Sequence, residues 1–176
     1  MASRAFPPWF SWILESKLRL GVLAPDALVA RLPLAPDFTV AEIGSGTGVY
    51  ARVVRHHARL LVAVELQWPL IEKAGVRDAR LHQTQGSAQA LPLRTASLDL
   101  IYLVTVFGEL VHESEALAEM HRVLRPGGFL SISEHLPDPD YRSRASLRRS
   151  CEAAGFATLR SVGPWWNYTS TFRRPQ

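Results

Sequence analysis

Short apolar runs alternate along this chain with stretches in which apolar residues recur every three or four positions. The runs read as strands and the periodic stretches as amphipathic helices, so the pattern predicts alternating β and α elements. Phe38 to Ile43 alternates apolar with small or polar residues and predicts the first strand. Val49 to His57 predicts the helix after it, with Val49, Arg52, Val53 and His56 at helical spacing. Leu60 to Val64 and Ser97 to Val104 are largely apolar, as expected of parallel strands covered on both faces. Between them lie a short helix, Pro69 to Ala74, and a weaker strand, Arg80 to Thr84. Glu113 to Leu124 places Ala116, Leu117, Met120, Val123 and Leu124 on one helical face. Arg125-Pro126-Gly127-Gly128 ends that helix. Phe129 to Ser133 predicts a further strand with Glu134 and His135 at its end, and Tyr141 to Ala154 a helix capped by Gly155. Phe156 to Val162 and Asn167 to Phe172 predict two closing strands around Gly163-Pro164.

Residues 1–37 precede this alternation and predict a helical lid segment, with residues 38–176 as the main unit of a single domain. Trp9 to Leu20 predicts one amphipathic helix and Asp26 to Leu32 a second, ended by Pro33 and Pro36. Phe6, Trp9, Phe10 and Trp12 make the start unusually aromatic. Two readings stand: these rings pack on the domain as a lid, or they meet an apolar substrate or a membrane surface.

Composition narrows the class. A chain of 176 residues with 47% hydrophobic and 20% charged positions is globular and fills one core of ordinary size. A net charge of +4 permits an acidic partner but does not point to nucleic acid. The single cysteine, Cys151, builds neither a disulfide framework nor a cysteine metal site, and no His-x-x-x-His pair with a glutamate marks a metal helix. No apolar run has the length needed to span a membrane, and Pro7-Pro8 interrupts the apolar start, so a cytoplasmic protein is the expectation.

The chemistry is concentrated after the first strand, in Glu42-Ile43-Gly44-Ser45-Gly46-Thr47-Gly48. Gly44 tolerates a sharp turn where a side chain would clash. Gly46 and Gly48 leave bare backbone that a ligand approaches closely, and the N–H groups at the following helix start favour a negative group. A dinucleotide fingerprint needs a third glycine or an alanine where Val49 stands, so an NAD-linked oxidoreductase does not fit. Glu65, about 20 residues beyond Gly44, has the spacing at which an acidic strand end reaches ribose hydroxyls. Ligands in open α/β sheets sit outside the carboxyl ends of the strands, so Thr105, Glu109 and His112 are expected to face the same cleft.

With its five matching segments the chain resembles the small class I S-adenosylmethionine (SAM) methyltransferases, of the type that includes those of ubiquinone and menaquinone biosynthesis. The segments are Glu42 to Gly48, Glu65, Gly86 to Leu93, Ser97-Leu98-Asp99-Leu100-Ile101, and Glu119 to Gly128 with its Arg-Val-Leu-Arg-Pro-Gly-Gly ending. The resemblance implies a Rossmann-like seven-stranded sheet in the order 3-2-1-4-5-7-6, strand 7 antiparallel. It implies SAM as cofactor, with Gly44, Ser45 and Gly46 along the methionyl part, Gly48 in the same loop and Glu42 supporting it. Glu65 would hold the ribose and Leu66 would pack on the adenine. Ser87 and Ala88, after Gly86, would meet the adenine edge, and Leu103 and Val104 would approach the methionyl group. Ser87 departs from the family's usual aspartate, which implies weaker adenine selection. The chain is also shorter than relatives acting on quinones, which implies a reduced substrate lid.

Methyl transfer from such a cofactor needs alignment of a nucleophile, and a base only if the acceptor must lose a proton. Glu109 and His112 are the candidate catalytic residues; Glu134, His135 and Tyr141 come second, and each of them equally reads as a lining residue. The expected acceptor is a small or lipid-like organic molecule. The chain lacks the Asn/Asp-Pro-Pro-aromatic motif of nucleobase-amine methyltransferases. Trp165 and Trp166 read as pocket walls or, more simply, as core. Arg142, Arg144, Arg148 and Arg149 read as a solvated face or as a patch for an anionic partner. The other class left open is a catalytically silent SAM-binding partner or scaffold protein.

Overall fold

In the computed structural model, residues 22–75 and 78–176 are described. The expected Trp9–Leu20 helix and the aromatic start lie outside them. Alternating elements build one seven-stranded sheet in the order β3-β2-β1-β4-β5-β7-β6. The central strands are β1 (Thr39–Ile43), β2 (Leu60–Glu65), β3 (Leu81–Gln85), β4 (Leu98–Val104) and β5 (Leu124–His135), all parallel. The closing hairpin is β6 (Ala157–Val162) and β7 (Asn167–Arg173), with β7 antiparallel to both neighbours. The expected order and direction are those observed.

The apolar runs fill two faces at once. Along β4, Leu100, Tyr102 and Val104 turn to one layer, while Ile101 and Leu103 turn to the other. The first layer holds helix α1 (Pro25–Arg31) and helix α2 (Ala51–Val54), packed through Leu28, Ala51 and Val54, with Leu23 and Leu32 flanking α1. In the described part of the predicted lid segment, Leu28 is fully buried against the layer on β1 and β4, with Leu23 and Leu32 beside it. The second layer holds helix α4 (Glu113–Val123) and helix α5 (Arg144–Ala153), through Ala116, Leu117, Met120, Val123, Leu147 and Cys151. Burial of these branched and aromatic side chains, at about 1.5–3 kcal/mol each, is what the sheet's two-sided coverage yields. Helix α3 (Trp68–Ala74) closes the β2–β3 crossover and ends at Gly75 in the left-handed region. Among the described residues, no helix is long and apolar enough to cross a membrane.

Four boundaries differ from the sequence reading. The helix expected from Val49 is one α turn, Ala51–Val54, followed by a 3-10 turn, Arg55–His57; it buries Tyr50, Ala51 and Val54 instead of Val49, Arg52 and Val53. So short a helix carries little dipole, and the loop before it acts through individual N–H groups. Arg125 to Gly128 belongs to β5 because Leu124 pairs with Leu98, and Gly127 and Gly128 exchange backbone hydrogen bonds with Arg174. The same strand continues through Glu134 and His135, which pair with Tyr168 and Asn167 of β7. Helix α5 starts at Arg144, where the Ser143 hydroxyl caps it by accepting from the Ser146 N–H.

Two quoted segments serve the frame. The Asp99 carboxylate accepts from the Thr39 N–H at 2.6 Å and pairs with Arg125 at 2.5 Å, so it joins the starts of β1, β4 and β5. Glu119 and Arg122 on α4 form an ion pair at 2.6 Å. That pair also grips the segment after β3: Glu119 accepts from the Leu91 N–H, and Arg122 donates to the carbonyls of Leu91 and Leu93.

Candidate functional site

At the carboxyl ends of β1, β2 and β4 the sheet opens into a cavity of about 460 Å³. Its wall includes Glu42, Gly44, Ser45, Gly46, Glu65, Leu66, Ser87, Ala88, Val104, Glu109 and His112, together with Thr105. Gly48 and Leu103 are not part of that wall. Leu103 is fully buried in the layer beneath α4, on the far side of β4 from Val104, because successive strand residues point oppositely.

The glycine loop has a mechanical reason at two positions. Gly44 has φ +73°, and a Cβ there would come within 2.6 Å of Val106. Gly46 has φ +54° and open space where its Cβ would lie, so its main chain faces the cavity uncovered. Gly44 and Ser45 donate to the Val64 carbonyl at 2.8 and 3.2 Å, which ties the loop to the end of β2. The Ser45 hydroxyl is buried at the cavity wall and, among the described residues, has no hydrogen-bond partner. A buried polar atom without a partner costs free energy unless a ligand or water supplies one.

Glu65 stands across from this loop. Its Oε2 accepts from the Gly46 N–H at 2.8 Å and its Oε1 from the Gln67 N–H at 3.0 Å. The negative group met by the loop is thus the protein's own carboxylate, pinned in place by two backbone donors. Leu66 beside it is an exposed apolar side chain, 43% accessible, at the cavity mouth.

Glu42 lies under the loop. It accepts from the Tyr102 hydroxyl at 2.9 Å and from the Ala51 N–H, so it connects β1, β4 and the start of α2. Burial, reinforced by the charge of Glu65, pushes its carboxyl up to about 8. Burial likewise raises the Tyr102 phenol, with the neighbouring Glu42 adding to it. The pair therefore favours a shared neutral hydrogen bond over separated charges.

The other end of the cavity is built from the loop after β4. Thr105 holds a left-handed backbone, φ 51°, fixed by its N–H to the Ser133 carbonyl at 2.9 Å. Such a conformation in a branched residue costs of order 1–3 kcal/mol and persists only when neighbours enforce it. A 3-10 turn, Phe107–Glu109, then places Glu109 in the wall, and His112 follows at the start of α4, 4.0 Å from Glu115. Leu110 and Val111 supply the apolar part of this end.

The second-rank candidates sit behind the wall. Glu134 and His135 are 1% and 2% accessible and outside the cavity. Glu134 accepts from the Arg142 N–H at 3.3 Å while its other oxygen has no partner, and burial pushes its carboxyl up to about 8. Tyr141 packs edge-on to Tyr168. Trp165 and Trp166 are neither core nor cavity wall: they are 68% and 42% accessible at the β6–β7 turn. The expected solvated arginine face is divided. Arg142 pairs with Glu113 at 2.9 Å and Arg144 donates to the carbonyls of Gly163 and Pro164, whereas Arg148 and Arg149 are exposed. Cys151 is fully buried, and burial raises its thiol further from the thiolate form. Sequence reasoning missed Gln89 and Tyr102. Only Gln89's place two residues beyond Ser87 could have flagged it, and nothing local could have flagged Tyr102.

Residues 41–132 match a family model described as a methyltransferase domain. Among characterised sequences, the chain is 32% identical over 108 residues to the malonyl-[acyl-carrier protein] O-methyltransferase of Enterobacter lignolyticus, covering 61% of this chain and 43% of that protein. An uncharacterised methyltransferase-like protein of Schizosaccharomyces pombe is 31% identical over 94 residues, covering 53% of this chain and 36% of that one. The chain thus spans less than half the length of these curated relatives. Among solved structures, a SAM-dependent methyltransferase of Aquifex aeolicus superposes with a TM-score of 0.86 at 20% identity, covering 97% of this chain and all of that one. The putative methyltransferase in complex with the Trm112 activator of Haloferax volcanii reaches 0.82 at 16% identity, covering 96% and 97%. These two likenesses establish the fold.

Proposed function

The chain belongs to the methyltransferase-domain family, and from that premise we propose that it is a class I enzyme transferring the methyl group of SAM to a small or lipid-like organic acceptor. The observation that carries this reading is the meeting of two unlike holds in one cavity. The uncovered Gly46 main chain and the partnerless Ser45 hydroxyl lie on one side, and the Glu65 carboxylate on the other, 2.8 Å apart at Gly46 N–H. These groups fit SAM. Ser45 and the loop would take the amino-acid end, Glu65 the ribose hydroxyls, and Leu66 a face of the adenine.

When bound, SAM supplies a methyl group already activated by its positive sulfur. The protein's own part is positioning. Glu42 and Tyr102 fix the loop from below, and Thr105 fixes the loop that carries Glu109. The acceptor end carries Glu109, Glu115 and His112 beside Leu110 and Val111. Two carboxylates there repel an anionic acceptor and suit a neutral or amine-bearing one with an apolar body. Glu109 and His112 are the groups in place to accept a proton from it.

An acceptor screen with methyl-labelled SAM, run on the protein and on Glu65→Ala, tests this. Label is expected in a neutral or basic small molecule with the unaltered protein and not with the variant. SAM binding without transfer to any acceptor class would favour a silent SAM-binding protein instead.

A further inference from the structure

The turn after β3 carries Ser87 where the family pattern has an acidic acceptor, and the structure shows what stands beside it. The Ser87 hydroxyl accepts from the Gln89 backbone N–H at 3.3 Å and donates to Gln89 Oε1. The Ser87 carbonyl accepts from the Ala90 N–H at 3.1 Å, which closes the turn. The Gln89 side chain is thereby folded back onto its own turn, in the cavity wall with Leu66, Ser87 and Ala88. Glu119 and Arg122 hold the chain immediately downstream, so the turn is anchored at Leu91. Among the described residues the Gln89 amide N–H groups have no protein partner.

We propose that Gln89, held by Ser87, reads the six-position edge of the cofactor's purine in place of the missing carboxylate. This rests on the assignment of the cavity to SAM. A carboxamide offers one acceptor and one donor side by side, the complement of adenine's amino group and adjacent ring nitrogen. A carboxylate only accepts. The terminal torsion of glutamine is roughly two-fold, and a serine hydroxyl either donates or accepts. Turned over, Gln89 therefore complements hypoxanthine, whose six-position is a carbonyl beside a ring N–H. The pair selects a purine but discriminates weakly between an amino and a carbonyl group at that edge.

Calorimetric binding of S-adenosylhomocysteine and S-inosylhomocysteine tests the proposal on the unaltered protein, Gln89→Ala and Gln89→Glu. The unaltered protein is expected to bind the two within about tenfold of each other, and Gln89→Ala to weaken both by about five- to tenfold. Gln89→Glu keeps the turn and the shape of the side chain. It is expected to retain the adenosyl compound and to lose the inosyl compound by more than about tenfold, because a carboxylate cannot donate to the carbonyl. Variants indistinguishable from the unaltered protein in both affinities overturn the proposal alone. An unaltered protein that binds neither compound overturns the assignment of the cavity, and the proposal with it.

Discussion

The two ends of the cavity are built differently. At the β1–β2 end, the loop and its carboxylate are held by backbone groups at the two strand ends that flank them. Glu65 is fixed by Gly46 and Gln67, and Gly44 and Ser45 by Val64. At the β4–β5 end the supports come from β5 and the loop after it: Thr105 donates to the Ser133 carbonyl, and Gly108 packs against the Asp140 backbone. The first end is a set of backbone hydrogen bonds between the ends of β1 and β2 that one kind of ligand can share. The second is a packing of loops, and it meets the first where Val106 closes on Gly44.

Removing a carboxylate from the first end is expected to have the largest effect. Glu65→Ala deletes the proposed ribose acceptor and releases Gly46, and SAM affinity measured by calorimetry should fall by about 10- to 100-fold. An unchanged affinity would break the assignment of that end. The second end is best probed at Gly108, where a Cβ would lie 1.8 Å from the Asp140 carbonyl oxygen. Gly108→Ala is expected to cost about 2–3 kcal/mol in urea unfolding and to reduce turnover while leaving S-adenosylhomocysteine affinity within about threefold. Equal loss at both ends would show that they are coupled.

Arg122→Ala removes donors to Leu91 and Leu93 and the partner of Glu119. The pair is partly exposed, so a modest loss of about 1 kcal/mol in thermal or urea unfolding is expected, with a severalfold weaker cofactor affinity through the turn it anchors. A slope in stability with pH is also expected. Glu42 and Glu134 titrate at about 8 in the folded chain against an ordinary value of 4.5. Between those values the folded state binds more protons than the unfolded one, so stability is greatest below the window and falls as pH rises through it. Urea midpoints between about pH 5 and about pH 9 should decline accordingly, and Glu42→Gln should flatten part of that decline.

Much of this was legible in the residues alone. The continuous runs at Leu60–Val64 and Leu98–Val104 could be satisfied only by strands covered on both sides, and the sheet has them there. Gly44 carries the positive φ expected of the sharp turn, and Glu65 closes β2 as expected, its carboxylate accepting from the Gly46 N–H. The helix after the loop was over-read because Val49 and Val53 keep helical spacing. Tyr50 instead turns inward, its hydroxyl donating to the Leu23 carbonyl, and the helix shortens. Trp165 and Trp166 read as core because large rings are usually buried, yet on the β6–β7 turn both stay exposed.

By itself, then, the sequence determined the strands, the two-sided burial of β2 and β4, the glycine loop and the carboxylate at the end of β2. Each of these is a local matter of chain conformation or of which side chains leave water. Only the tertiary structure decided that Tyr102 lies under Glu42, that Arg122 clasps Leu91, that Leu103 turns away while Val104 faces in, and that Glu134 is sealed behind the wall. Such contacts join residues up to 60 positions apart, and no local pattern encodes them, because they exist only once the sheet has brought its strands to one edge.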